Sequence, residues 1–343
     1  MSADRPVLEI DNLQKYFTKK QSFLDTVLRR DPELVQAVDG ISFDLDDNEV
    51  VGVIGESGCG KTTLLMTLLG LYEKSGGDVR LHGKSYDEFT KTEQREFYRS
   101  VQVIFQDPFD SLDPKKTVEQ ILRIPLKVHD MDDQDRRIRE ALEMAELRPP
   151  ERYLDQYPDS LSGGEKQRVS IARALVLEPE VILADEPVSM LDVSTQASIL
   201  KLLSNLIQEQ DVSMIYISHD LSTVSYICDT INVMYLGRIV ERAPTLELLQ
   251  DPKHPYSQAL INAIPVPNPH ADRQRTQLEG STPDPIGIGE GCRFRDRCPE
   301  RMDVCEKTPA FLEVEPGRRT ACHLHYDHEA YEERKEVVPS KEH

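Results

Sequence analysis

The run Gly55-Glu56-Ser57-Gly58-Cys59-Gly60-Lys61-Thr62 has the spacing G-x-x-x-x-G-K-[ST], a pattern suited to holding phosphate. Its glycines let backbone N–H groups turn inward around phosphate oxygens, and the helix that follows points its positive end at them. Lys61 would neutralise charge on a β- and γ-phosphate, the Thr62 hydroxyl would ligate Mg²⁺, and Thr63 belongs to the same binding turn. A second segment, Val181-Ile182-Leu183-Ala184-Asp185-Glu186, is an apolar strand ending in two carboxylates. Ligands bind at the C-terminal ends of such strands in open α/β sheets. Asp185 is placed to hold the Mg²⁺ shell, and Glu186 to polarise an attacking water as general base. A third segment, Leu161-Ser162-Gly163-Gly164-Glu165, opens a helix whose exposed N–H groups can grip an anion.

These groups need elements to position them. Val50 to Ile54 is a continuous apolar run entering the glycine loop, as a buried parallel strand should be, and Thr62 to Leu71 continues as a helix. Val101 to Phe105, Val181 to Ala184 and Ser213 to Ile217 are further short apolar strands. Strands alternating with helices predict a mainly parallel sheet covered on both faces. Val7 to Ile10 and Val38 to Leu45 read as strands of an antiparallel sheet, with a charged insertion over Thr18 to Gln36 that carries no assignable chemistry. Thr117 to Glu146 mixes charged and apolar residues at helical spacing and reads as an inserted helical subdomain. After Tyr235-Leu236-Gly237-Arg238 the character changes, and Pro265, Pro267, Pro269, Pro283 and Pro285 mark a loop-rich segment. The charged end, Glu329 to His343, reads as disordered.

A chain of 343 residues allows two domains, or one large domain with an appendage. No apolar run approaches the roughly 18–20 residues that span a bilayer, and Met1 to Pro6 lacks the form of a secretory signal. The net charge of −20 argues against nucleic acid as a partner, because such a surface repels phosphate backbones. The same acidity suits solubility or, more sharply, adaptation to high salt.

Six cysteines in a reducing cytosol argue for metal ligation over disulfides. Cys59 lies inside the phosphate loop and Cys228 reads as a buried apolar residue. Cys292, Cys298, Cys305 and Cys322 are separated by 5, 6 and 16 residues. Such thiolates suit structural Zn²⁺ or an iron–sulfur cluster, and the absence of close C-x-x-C pairs favours the cluster. His323 and His325 flank Cys322 as substitute ligands.

The three phosphate-site segments, in their order and spacing, resemble the ATP-binding-cassette (ABC) family, whose ATPase sites are shared between two subunits. The resemblance implies further roles. Tyr16 matches the aromatic residue that stacks on adenine, Gln106 the glutamine that touches Mg²⁺ and water and senses the membrane partner, and His219 the switch histidine at the γ-phosphate. Ser189-Met190-Leu191-Asp192 corresponds to the loop crossing the dimer interface, and Leu161 to Glu165 to the signature that grips nucleotide held by the opposite subunit. With one copy of each motif, the chain carries two incomplete half-sites and must pair with itself or a relative.

Gln106-Asp107-Pro108-Phe109-Asp110-Ser111-Leu112-Asp113-Pro114, His254-Pro255-Tyr256-Ser257 and the terminal cysteines look like the ATPase subunits of oligopeptide and dipeptide importers. That branch carries a C-terminal extension whose cysteines hold a [4Fe–4S] cluster; zinc is the rival. The implied architecture is an α/β P-loop ABC ATPase core over 1–250: a mainly parallel sheet, an antiparallel β subdomain and a helical subdomain over about 108–165. A small loop-rich cysteine-bearing extension follows over 251–326, then an acidic tail over 327–343. The expected activity is ATP hydrolysis with Mg²⁺, at the cytoplasmic face of the cell membrane. The expected partners are a second, similar ATPase subunit, two membrane permeases and, indirectly, an extracellular solute-binding protein. Import of nickel or short sugars by the same machinery is the alternative. A soluble ABC ATPase of DNA repair or translation fits poorly with one cassette, no heptad run and a negative surface. Gating of hydrolysis by the redox state of the cluster is a third reading.

Overall fold

The structure is a computed structural model that describes residues 5–18, 33–263, 283 and 285–331. Most of the charged insertion, Pro265, Pro267, Pro269 and the end of the acidic tail lie outside the described residues.

Strands β1 (Leu8–Thr18) and β2 (Leu34–Leu45) pair antiparallel over their whole length. β1 runs eight residues beyond the predicted Ile10, because pairing with β2 as far as Thr18↔Leu34 holds its polar second half. The register shifts between Ile10 and Leu13, where Asn12 adopts a positive φ of 46° as in a bulge. Then follow β3 (Val50–Ile54) and α1 (Lys61–Leu68), and after them β4 (Gly76–Leu81), β5 (Lys84–Ser85), α2 (Lys91–Ser100) and β6 (Val101–Ile104). The antiparallel sheet has the order β2-β1-β4-β5.

The predicted helical stretch after Thr117 is two helices, α3 (Val118–Val128) and α4 (Gln134–Met144), separated at His129 to Asp133. Thr117 and Gln120 form a capping box that starts α3. α5 (Gly163–Leu175) follows, then β7 (Val181–Asp185), α6 (Val193–Gln210), β8 (Ser213–Ser218), α7 (Leu221–Ile227), β9 (Thr230–Tyr235) and β10 (Arg238–Pro244). The C-terminal segment adds α8 (Pro255–Asn262), β11 (Leu312–Glu315) and β12 (Arg318–Thr320).

The main sheet has the order β11-β12-β10-β9-β3-β8-β7-β6, and its five strands from β9 to β6 are parallel. Their side chains serve two cores. Val50, Ile182, Ala184, Met214 and Tyr216 pack with the helices of the inserted subdomain. Val51, Val53, Val181, Leu183, Ile215 and Ile217 pack with α1 and the antiparallel sheet. Burial on both faces explains why these strands are almost wholly apolar. Parallel register aligns the ends that matter: Ile54 lies opposite Ser218, and Asp185 opposite Ile217. The phosphate loop, Asp185–Glu186 and His219 therefore leave the sheet along one edge.

The C-terminal segment is built into this frame. β12 pairs with β10 through Glu241↔Thr320 and Arg242↔Arg319. Phe294 is 1% exposed and packs against Tyr235 and Tyr256, with ring centres 5.3 and 5.4 Å away. Truncating an aromatic side chain so placed costs about 3–5 kcal/mol.

Candidate active site

The phosphate loop is compressed at Gly55 and Gly60. A Cβ on Gly60 (φ +107°) would lie 2.0 Å from the Ala37 carbonyl oxygen, and one on Gly55 would lie 2.2 Å from that of Met234. Only glycine fits this cradle. Lys61 is buried, and its ammonium donates to the carbonyls of Gly55 (2.8 Å) and Glu56 (3.0 Å). The Gly237 N–H donates to the Cys59 carbonyl at 2.8 Å, tying the loop to the β9–β10 turn. Burial pushes the Cys59 thiol up, so this cysteine packs as a neutral side chain.

Thr62 donates its hydroxyl to Asp185, joining the two Mg²⁺ ligands read from the sequence. Burial pushes the Asp185 carboxyl up, while Thr62 and Lys61 pull it back. The next residue, Glu186, holds a left-handed φ of 45°, a conformation costly outside glycine and tolerated here at the turn. Its N–H donates to the Ile217 carbonyl at 2.8 Å. Gln106 Nε2 donates to Glu186 Oε2 at 2.9 Å, and His219 Nδ1 lies 2.8 Å from Oε1. Three residues from three strand ends thus meet on one carboxylate. A cleft of about 630 Å³ opens over them, lined by Ser57, Gly58, Gly60 to Thr63, Gln106, Glu186 and His219. Glycine cradle, buried lysine and paired threonine–aspartate suit a nucleotide triphosphate with its metal ion.

The structure places Tyr16 outside the lining of this cleft, where its hydroxyl donates to Asp39. Burial, reinforced by Asp39, pushes that phenol up to about 12. The neighbouring Phe17 lines the cleft instead, beside Val35 and Ala37. Side chains alternate along a strand, so a shift of one position reverses the face. Sequence reasoning missed Phe17 because two aromatics stand side by side and the hydroxylated one drew the assignment.

The residues matching the ABC transporter family model run from 38 to 189, and those matching the C-terminal region of oligopeptide/dipeptide transporters from 240 to 305. A putative oligopeptide transport ATP-binding protein of Bacillus subtilis, YkfD, is 42% identical over 336 residues, covering 95% of this chain and 98% of its own. The chain belongs to the ATP-binding subunits of ABC peptide transporters. The dipeptide transport ATP-binding protein DppF of Escherichia coli is 39% identical over 93% of this subunit and 94% of its own length. The dimeric structure of MJ0796, a bacterial ABC transporter cassette, matches with a TM-score of 0.60 at 26% identity, covering 69% of this subunit and 98% of that chain.

The signature lies apart from the subunit's own cleft. Ser162 caps α5, accepting from the Glu165 N–H at 3.3 Å, while Glu165 Oε2 accepts from the Ser162 N–H at 2.9 Å. These bonds hold the Glu165 carboxyl below its ordinary range. Gly163 approaches Leu191, and a Cβ on Gly164 would fall 2.7 Å from Thr195 Cγ2. Asp192 caps α6 through the N–H groups of Ser194 and Thr195, both at 3.1 Å. Ser189 lies at the turn after Glu186, its hydroxyl 3.1 Å from that residue's carbonyl. Between these caps Met190 and Val193 are 60% and 81% exposed, an apolar edge beside the signature.

The four terminal cysteines converge without forming a ligand set. Cys322 feels the charges of Cys292, Cys298 and Cys305, and burial first, then those neighbours, push its thiol up to about 12. Burial likewise raises Cys292 to about 11. Among the described residues, no three His, Cys, Asp or Glu side chains are placed to hold a metal ion. The histidines are engaged elsewhere: His323 Nε2 lies 2.9 Å from the Lys307 carbonyl, and His325 Nε2 lies 2.9 Å from that of Lys253. The expected [4Fe–4S] site is not met in this arrangement.

Proposed function

We propose that the subunit hydrolyses ATP at sites shared between two cassettes, and that closing and opening of the pair drives uptake of oligopeptides or dipeptides through membrane permeases. One observation carries this reading: Glu186, oriented by Gln106 and His219, faces the same cleft as Lys61, Thr62 and Thr63. Bound Mg²⁺, held by Thr62, Gln106 and Asp185, would offset charge on the phosphates. Lys61 neutralises the β- and γ-phosphates. Glu186 accepts a proton from the water that attacks the γ-phosphorus, and ADP departs as its bond to that phosphorus breaks. Phe17, rather than Tyr16, supplies the ring beside adenine.

The signature supplies its N–H groups to the partner's nucleotide. The partner is a second, similar ATP-binding subunit, and the pair engages two permeases at the cytoplasmic face, fed by an extracellular solute-binding protein. No nucleic acid takes part. Ser162→Ala tests the shared site. ATP affinity of the dilute subunit should stay within about twofold, while turnover of the pair falls about tenfold or more. Equal turnover by a preparation diluted below pairing would remove the shared-site reading.

Four thiols within electrostatic reach of one another support an iron–sulfur cluster or zinc in the extension, although their side-chain arrangement does not. Iron, acid-labile sulfide and zinc contents after anaerobic purification decide between cluster, zinc and free thiols. The salt-adapted reading of the net charge of −20 would show as folding stability rising with molar KCl.

A further inference from the structure

Glu56 is a carboxylate inside the loop read as the triphosphate cradle, and Lys61 donates to the carbonyls of Gly55 and Glu56 itself. Like charges at short range oppose one another strongly where water is partly excluded, so this acid works against the ligand unless its charge is cancelled. Arg297 cancels it. Its Nη1 donates to Glu56 Oε2 at 2.7 Å and its Nη2 to Oε1 at 3.0 Å, a two-pronged bond of the strong kind. The Arg297 side chain is 8% exposed, which shields the pair from salt. The guanidinium also sits 5.8 Å from the centre of the Tyr235 ring.

Arg297 comes from far along the chain, 241 residues after Glu56, on the turn that joins Cys292 to Cys298. That turn is anchored by Phe294, buried among Tyr235, Tyr256 and His254. It is anchored again by Arg293, which donates to Asp39 and to the Leu236 carbonyl. From the same segment, Tyr256 Oη accepts the Glu56 backbone N–H at 2.9 Å. The C-terminal segment therefore grips both the side chain and the main chain of one phosphate-loop residue.

We propose that Arg297 is a positioning residue for the nucleotide site: its fork on Glu56 neutralises that carboxylate, so that ATP affinity depends on the cysteine-bearing turn. This rests on residues 55–62 being the phosphate loop. The test measures Mg-ATP affinity and the KM and kcat of hydrolysis with the full-length subunit, after thermal melts confirm folding. Arg297→Gln should raise Kd and KM about fivefold to tenfold with kcat within about twofold, and Arg297→Lys should fall between it and the wild type. Adding Glu56→Gln to Arg297→Gln should restore affinity to within about twofold, because the carboxylate that Arg297 neutralises is gone. A merely structural role gives no such rescue. Unchanged affinity in Arg297→Gln, or equal weakening in the single and double variants, overturns the proposal. If Arg297→Gln does not fold, Glu56→Gln alone carries the test: affinity should tighten about twofold or more, because the Arg297 charge is then uncancelled beside the phosphates, and unchanged or weaker affinity overturns it. Lys61→Ala is the control, since wild-type affinity there would sink the phosphate-loop assignment itself, not the role of Arg297.

Discussion

His219 Nδ1 lies 2.8 Å from Glu186 Oε1, while Gln106 holds the other carboxylate oxygen at 2.9 Å. The carboxylate is thus steered from both sides, and its side chain is 14% exposed against 59% for the imidazole. A carboxylate fixed this way needs little reorganisation to take a proton, whereas a freely rotating one would need more.

Replacing Glu186 by glutamine keeps the shape and removes the proton acceptor. Turnover should fall by about 10³-fold with ATP affinity within about threefold, and the loaded protein should accumulate as a closed pair. His219→Ala leaves the acceptor but frees it, so a smaller loss, about 10²-fold, is expected. Phosphate release and size-exclusion in ATP check both. Substantial turnover by the Glu186→Gln protein would overturn its assignment as base.

The sequence assigns adenine stacking to Tyr16, whereas the proposed function gives it to Phe17, which lines the cleft, while Tyr16 bonds to Asp39. Phe17→Ala should weaken ATP binding about tenfold, the scale of a lost base-stacking contact. Tyr16→Phe should leave affinity within about twofold, and cost about 1 kcal/mol of stability through the lost bond to Asp39. Titration of a fluorescent ATP analogue and urea denaturation read the two effects. The opposite pattern would return the adenine role to Tyr16.

The same pair shows how far the sequence could be read. The phosphate loop, Asp185 and Glu186 were legible because each sits at the end of an apolar run whose period and neighbours fix its place. Val50 to Ile54 is a strand at the predicted bounds. Which of two adjacent aromatics faces the cleft depends on register within β1, which shifts near Asn12 and again between Lys15 and Tyr16 as it pairs with β2, and such shifts leave no compositional mark. The prolines and single cysteines of the C-terminal segment carry no periodicity, so the sequence shows only a loop-rich appendage. Its union with the core runs through β12, Phe294, Arg293 and Arg297, contacts between positions more than fifty residues apart.

Asp39 makes the union of core and extension sensitive to pH. Its buried carboxylate accepts from Tyr16, Arg238 and Arg293. Burial pushes its pKa up, but those partners pull it below the ordinary carboxylate value. The folded protein therefore binds this proton less readily than the unfolded chain, whose aspartates titrate near about 3.9. The resulting stability is present above that pH and is lost as pH falls through the depressed folded value. Asp39→Asn should cost about 3 kcal/mol at pH 7, because it leaves the buried Arg293 guanidinium without its anion. The gap between wild type and variant should narrow as the medium is acidified below about pH 4. Urea denaturation at pH 7 and at successively lower pH measures it. A gap that stays constant on acidification would mean that Asp39 holds the extension by shape and not by charge.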